Sequence, residues 1–341
     1  IYDGRPACAG NSSCVPICPI QAKYDATVHI KKAKELGAVL LSNCVVSKLN
    51  SDSNGVISSI EYIDWVSDKN KSINLNTTNK KVILATHAIE TPRLLLISGI
   101  ANLSKQVGKN LMDHLQGYTL AESKEPIYPF RGPLTTSGID AFRDGGHREK
   151  FAAFRMSIGN DGWGRKGSPQ DILWENLSNN LFGHDLRGKL QDKITRLSRI
   201  SFSTEMLPNE QNTVTLSDLK DELGLPKPKV NIELDNYNKD AFKFAYQLAK
   251  DIYTKLEWKV RQEDKLEEYL YNYSGAGHII GTTRMGNNPK TSVVDSFGQA
   301  HEHPNLFIVG PSVFPTSGTA NPTLTAAALT LRTIKSIICN S

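Results

Sequence analysis

Three groups of residues in this chain have types and spacings that suit chemistry. The first is Asn321-Pro322-Thr323, which follows a loop of small residues opening at Gly310-Pro311. Asn321 suits a helix N-cap, because its side-chain oxygen can accept from free amides of the first turn. Pro322 fits the first helical position, where no amide is missed. The free amides and positive dipole end of such a helix start suit an electron-rich group, a dinucleotide or flavin ring among them; an ordinary capped core helix is the alternative. The second is His278, in the run GHIIGTTRMG at 277–286. Histidine titrates near neutrality and can carry a proton at working pH, although a lone histidine in a glycine-rich loop is more often structural. The third is Cys8, Cys14 and Cys18, spaced C-x5-C-x3-C-P. A close thiolate set ending in Cys-Pro is one way of holding an iron-sulfur cluster, and three ligands suit a 3Fe-4S cluster. A disulfide and a zinc site are the alternatives, though three cysteines cannot all pair and zinc usually takes four ligands. Cys44 and Cys339, isolated in apolar surroundings, read as small buried hydrophobes.

These residues must be positioned by regular elements. Residues 306–309 read as a buried strand, and a helix opens at Asn321-Pro322. Leu324, Ala327, Ala328 and Leu331 recur at helical spacing, which predicts one buried face. Nearer the amino terminus, residues 24–36 read as a helix ended by Gly37. Strand-like runs follow at 38–48 and 56–65, joined by the turn Asp52-Ser53-Asn54-Gly55, with a short buried-type strand at 81–85. A turn then enters a helix from Ala88, and strand, turn and helix in this order suit an α/β layer. Between about 115 and 270 the texture changes to short strands punctuated by Pro and Gly, with helices at 185–200 and 237–256. Residues 208–217 and the turn Gly224-Leu225-Pro226 suggest antiparallel strands.

Composition bounds the function. With 341 residues and 39% hydrophobic content the chain can bury a large core. A net charge of +5, from 40 basic and 35 acidic residues dispersed along the chain, gives no case for nucleic acid. No apolar run approaches the roughly 18 residues of a membrane helix.

Taken together, GHIIGTTRMG and the last strand, loop and helix resemble the carboxy-terminal part of the glucose-methanol-choline (GMC) oxidoreductases, FAD enzymes that oxidise alcohols and sugars. The likeness extends over almost the whole chain. Cys14-Val15-Pro16-Ile17-Cys18-Pro19, Ile89-Glu90-Thr91-Pro92-Arg93-Leu94 and Val107-Gly108-Lys109-Asn110-Leu111-Met112-Asp113-His114 occur in family order. Within the family it is most similar to the catalytic subunits of bacterial FAD-dependent glucose, fructose, sorbitol and gluconate dehydrogenases, above all the glucose dehydrogenase type with its CxGNxxCxPICPI and HIxGTTxMG segments.

The resemblance implies a fold of α/β plus α+β type. A three-layer, glutathione-reductase-like FAD lobe would comprise residues 1–114, with the cysteine loop at 8–18, and 271–341. A substrate lobe built on an antiparallel sheet would be inserted at 115–270. It implies His278 as the base that takes the hydroxyl proton and Asn321 as the amide that orients the substrate oxygen. Gly310, Pro311, Asn321, Pro322 and Thr323 would lie against the FAD, and Cys8, Cys14 and Cys18 would hold a 3Fe-4S cluster. The implied substrate is a sugar, sugar alcohol or sugar acid. The implied partners are a small accessory subunit and a multihaem cytochrome c subunit at the periplasmic side of the inner membrane, with membrane association only through them. The G-x-G-x-x-G fingerprint and its acidic ribose partner are absent and the chain begins at Ile1, so it is expected to be the later part of a longer enzyme. His87 reads as a packed histidine at a strand end, His301 and His303 as members of a solvated turn, and His114 as a partner of Asp113. Rival readings are an oxygen-using alcohol oxidase of the same fold and a non-catalytic electron-transfer or binding fragment. A Ser-His hydrolase lacks its G-x-S-x-G elbow.

Overall fold

The structure, a computed structural model, describes residues 3–15, 17–69, 71–160, 167–261, 266–271 and 273–339. Pro16 of the cysteine loop and Asn70 of the loop at 67–71 lie outside them. In chain order the elements are α1 (Thr27–Glu35), β1 (Cys44–Ser51), β2 (Ile57–Asp64), β3 (Ser72–Asn76), β4 (Val82–Leu84), α2 (His87–Ser98) and β5 (Leu115–Glu122). Next come β6 (Thr135–Ile139), β7 (Phe154–Gly159), α3 (Pro169–Ser178), α4 (Gly183–Arg196), β8 (Leu197–Thr204), β9 (Thr213–Lys220) and β10 (Pro226–Asn231). The chain continues through α5 (Asn236–Lys255), β11 (Lys259–Val260), α6 (Leu266–Tyr271), β12 (Leu306–Ile308) and α7 (Thr323–Cys339). Its contacts divide it into two units: Ile1–Leu40 with Leu115–Thr204 and Asn236–Ser274, and Leu41–His114 with Glu205–Asp235 and Gly275–Ser341.

The first unit is built on an antiparallel sheet in the order β11-β5-β8-β7-β6. On α5 the buried residues Asn238, Ala241, Phe242, Ala245, Ala249 and Tyr253 recur every three or four positions, a single stripe that packs on the sheet. Phe242 meets Phe202 of β8 edge to face, with ring centroids 4.9 Å apart. Gly117 of β5 makes that approach possible, since a Cβ there would stand 2.4 Å from Phe242 Cζ. The helix expected over 185–200 stops at Arg196, and residues 197–204 run as β8 instead. β8 is flanked by β5 and β7 and is almost wholly buried, so ladder pairing on both edges outweighs any helical continuation.

The second unit carries three smaller sheets: an antiparallel meander β1-β2-β3, the hairpin β9-β10, and a parallel pair of β4 with β12. One core joins the meander, the parallel pair and α2 through Leu49, Ile57, Val82, Leu84, Leu95, Leu306 and Ile308. Asn305 locks this arrangement. Its Oδ1 accepts the Ile57 N–H at 2.8 Å and its Nδ2 donates to the carbonyls of Ile57 and Lys80, each at 3.0 Å. The strand expected from Ala38 begins only at Cys44, and Val39, Leu40 and Leu41 stand exposed before it. The face of α7 expected to be buried is open: Leu324 is 81% and Leu331 70% exposed, while Thr333 is buried and Leu329 packs on the core.

Candidate active site

Three extended segments far apart in sequence are stitched together in the second unit. Met112 and Ile280 exchange backbone hydrogen bonds of 3.0 and 2.9 Å, and Thr282 N–H donates to Lys109 O at 3.1 Å. On the other edge, Gly281 N–H donates to Pro311 O (3.1 Å), Thr283 N–H to Ser312 O (2.9 Å) and Met285 N–H to Val313 O (2.9 Å). The Gly281 backbone has φ +84°, and a Cβ there would meet Asn110 O at 2.1 Å, so the crossing needs glycine. The result is that Asp113-His114, Gly277-His278 and the loop before α7 converge.

Asp113 acts as the clamp. Its Oδ1 accepts the backbone N–H of His114 at 2.6 Å and of His278 at 2.8 Å, and its Oδ2 accepts the Gly277 N–H at 3.1 Å. His278 Nδ1 lies 2.7 Å from His114 Nδ1, and His278 Nε2 lies 3.1 Å from the Asn321 side-chain nitrogen. His114 Nε2 lies 2.6 Å from the carbonyl oxygen of Gly318. That loop is itself anchored, because Ser317 Oγ donates to Met206 O at 2.7 Å and accepts the Met206 N–H at 3.2 Å. His114 is buried, His278 half-buried and Asn321 exposed, so the network opens outward at the His278–Asn321 end.

Burial pushes the His278 pKa below the ordinary histidine value, the neighbouring His114 pushes it further down, and the Asp113 charge opposes both. Burial also lowers His114, against the Gly318 hydrogen bond and Asp113. Both rings are therefore held toward the neutral form. Asp113, His114 and His278 offer ligand-type atoms within 4.8 Å of one another, but the carboxylate is already committed to backbone amides and the rings to each other. The group is organised as a hydrogen-bond network.

Of the remaining expected site residues, Gly310 and Pro311 follow directly on the parallel pair β4–β12. Val309 N–H donates to Leu84 O at 2.9 Å, keeping the two strands together to that point. Gly310 follows with φ +91°, and a Cβ there would meet no atom within 4 Å, so its backbone faces open space. Pro311 begins a short 3-10 turn, Pro311–Val313. Asn321 and Pro322 both precede α7, which starts at Thr323: Pro322 O accepts the first intrahelical bond, from Ala326 N–H at 2.9 Å, so Pro322 takes the N-cap place rather than the first helical position, and Asn321 stands one residue before the cap with its side chain at His278.

Cys8, Cys14 and Cys18 lie in the first unit and are free thiols. Their loop is anchored by Gly132 N–H to Gly10 O (2.8 Å) and Ser12 Oγ–H to Asn160 O (2.6 Å). Gly10 N–H points at Cys8 Sγ at 3.3 Å, and backbone amides, that of Lys23 foremost, hold the Cys18 thiol below its ordinary pKa. The three sulfurs do not form the compact set, within 4.8 Å, that a single ion would take.

His87 is exposed rather than packed; it carries the turn from β4 into α2 in the left-handed region at φ +69°. His303 is buried rather than solvated: its Nδ1–H donates to Gly55 O at 2.6 Å and its Nε2 accepts the Ala101 N–H at 3.1 Å. His301 sits beside it in sequence, half-buried against Ser292 Oγ at 2.9 Å. Cys339 is exposed and Cys44 only half-buried. His114 partners His278 through its ring, while Asp113 takes backbone amides; the Asp-His adjacency in sequence gave no sign of this.

Family models described as GMC oxidoreductase match residues 3–116 and 208–330. The chain is 35% identical to the fructose dehydrogenase large subunit of Gluconobacter japonicus over 345 residues, covering 99% of this chain and 60% of that protein. It is 30% identical to 2-methyl-1,2-propanediol dehydrogenase of Mycolicibacterium austroafricanum, covering 89% of this chain and 55% of that protein. Among solved structures it shares its fold with a formate oxidase of Aspergillus oryzae RIB40, studied for the modification of its FAD. The TM-score is 0.63 at 17% identity, over 87% of this chain and 60% of that one. These matches place the chain in the GMC oxidoreductase family. It spans about 60% or less of the length of these relatives.

Proposed function

We propose that this chain supplies the proton-handling and substrate-orienting part of an FAD-dependent dehydrogenase acting on CH–OH groups of sugars or sugar alcohols. The observation that carries the reading is the pairing, 3.1 Å apart, of a neutral-leaning His278 Nε2 with the Asn321 amide. An alcohol hydroxyl must lose its proton to an acceptor while its oxygen is held by a donor, and these two atoms offer both. The residues present suit FAD: the parallel pair β4–β12 runs into the open backbone of Gly310, and the free amides at the start of α7 suit an electron-rich group. Gly310, Pro311, Asn321, Pro322 and Thr323 would hold it, and when bound it supplies hydride-accepting chemistry. Within that frame His278 Nε2 takes the hydroxyl proton, Asn321 orients the oxygen, and Asp113 holds the two histidine backbones in place. The second unit would serve as the flavin lobe, and the five-stranded sheet of the first unit as the base of the substrate lobe.

The sugar class is supported by the fructose dehydrogenase relative, whose description as a large subunit also supports assembly with other subunits. For these we carry the expectation of a small accessory subunit and a multihaem cytochrome c at the periplasmic side of the inner membrane. No helix among the described residues is long and apolar enough to cross a membrane. Cys8, Cys14 and Cys18 suit a 3Fe-4S cluster better than zinc, because they are three where zinc usually takes four protein ligands, and backbone amides point at Cys8 and Cys18.

The full-length enzyme should reduce an artificial dye when given a sugar or polyol, without stoichiometric oxygen consumption. Oxygen uptake matching substrate turnover would instead favour an oxidase. Iron and acid-labile sulfide, assayed on the same sample, should fall in a Cys14→Ser variant; a wild-type enzyme with neither contradicts the cluster.

A further inference from the structure

His114 is the buried member of the network to which the proposed chemistry assigns no task. Its Nε2 stands 2.6 Å from Gly318 O, and a carbonyl oxygen only accepts, so Nε2 carries a hydrogen. In the neutral ring Nδ1 then holds a lone pair, and it faces His278 Nδ1 at 2.7 Å. Two lone pairs cannot share that distance, so His278 Nδ1 carries the hydrogen and donates it. The rings cross at 83°, which makes the contact an edge-to-edge hydrogen bond rather than a stack. One nitrogen of His278 remains, Nε2, and it is an acceptor facing the Asn321 amide nitrogen at 3.1 Å.

We propose that His114 is a positioning residue: pinned by the Gly318 carbonyl, it fixes the ring proton of His278 on Nδ1 and so leaves Nε2 as the proton acceptor. This rests on the reading of His278 as the base. The role is the one an orienting carboxylate plays in other base-containing sites, but here Asp113 touches no ring nitrogen and serves only backbone amides. When the substrate proton arrives at Nε2, His278 becomes an imidazolium whose Nδ1–H is donated to a neutral ring, a charge-assisted hydrogen bond. No proton leaves His114, because its own N–H stays on the carbonyl. A neutral orienter also adds no negative charge beside the base, so His278 returns its proton more readily than it would next to a carboxylate.

The test uses the full-length, FAD-loaded enzyme with 15N-labelled histidine, read by long-range 1H–15N correlations that distinguish the two ring nitrogens. The His278 signals are assigned by their loss in His278→Ala. In the wild type, His278 should show a protonated Nδ1 and a bare Nε2. In His114→Ala the proton should redistribute to Nε2, and kcat should fall about 10- to 100-fold with KM changed little. His114→Asn places an amide where the lost Nδ1 stood; it should keep the Nδ1–H form and recover most of kcat. A wild-type His278 protonated on Nε2 would overturn the proposal, as would an unchanged tautomer in His114→Ala. Undiminished turnover in His278→Ala would overturn the base reading, a failure seen in rates and not in the tautomer spectrum.

Discussion

Burial and a second histidine hold His278 toward its neutral form, and this has a consequence in pH. Burial, then the His114 charge, lowers its pKa, and Asp113 opposes; these two are the titratable groups facing it among the described residues. A base must be neutral to accept, so kcat should stay level through the neutral range and decline only below the ordinary histidine value of about 6.5. Stability follows the same sign. Because the folded pKa values of His114 and His278 lie below their unfolded ones, the unfolded chain binds more protons in that window. Their contribution is fully present above pH ~6.5 and is lost as pH falls toward the lowered values. Denaturation measured between about pH 5 and 8 should therefore show a shallower acid loss in His114→Asn than in the wild type; equal slopes would contradict the shift. Of these residues, His278 and Asn321 stand out in the sequence through the family motifs that carry them, and the structure brings them 3.1 Å apart. His114 was not, because its partner is the backbone carbonyl of Gly318, more than two hundred positions away, which no side-chain pattern announces. The same blindness to backbone partners explains His303, held by Gly55 and Ala101.

At the scale of elements, the site depends on how closely the Met112 and Ile280 segments approach. Gly281→Ala would add a Cβ 2.1 Å from Asn110 O in a backbone conformation at φ +84° that alanine resists. The expected loss is about 2 kcal/mol or more in thermal or denaturant unfolding, with His278 displaced as well. Gly146→Ala, at a glycine with open surroundings and no left-handed φ, should change stability by less than about 0.5 kcal/mol. Equal effects would mean that the crossing tolerates a side chain. The short strands β4 and β12 were readable from an apolar run and a Gly-Pro break, and the start of α7 to within a residue from Asn321-Pro322, although Pro322 and not Asn321 takes the N-cap place. The boundary between α4 and β8 was not, since nothing local separates Thr195-Arg196 from Leu197-Ser198. Only the sheet, pairing Leu115 with Thr204 through Glu122 with Leu197, decides it.

For the whole molecule, the sequence motifs appear in family order, yet the units interleave. The hairpin β9-β10 lies in sequence among the strands and helices of the first unit and by its contacts belongs to the second. Composition reports texture and not partnership, so such an excursion leaves no local trace. The net charge of +5, dispersed along the chain, supplies no strong general field for recognition. The cysteine loop stands in one unit and the His278 network in the other, so the proposed relay and the proposed base can be removed separately. Cys14→Ser should spare reduction of the flavin by sugar while slowing electron delivery to a one-electron acceptor. The central claim is that His278 takes the substrate proton beside a flavin. It is tested most directly by mixing the full-length, FAD-loaded enzyme with a sugar substrate without oxygen and following the flavin absorbance in the wild type and in His278→Ala. The account predicts that the wild-type flavin bleaches and that the variant, with flavin still bound, bleaches about 10²- to 10⁴-fold more slowly. Equal bleaching rates would contradict it.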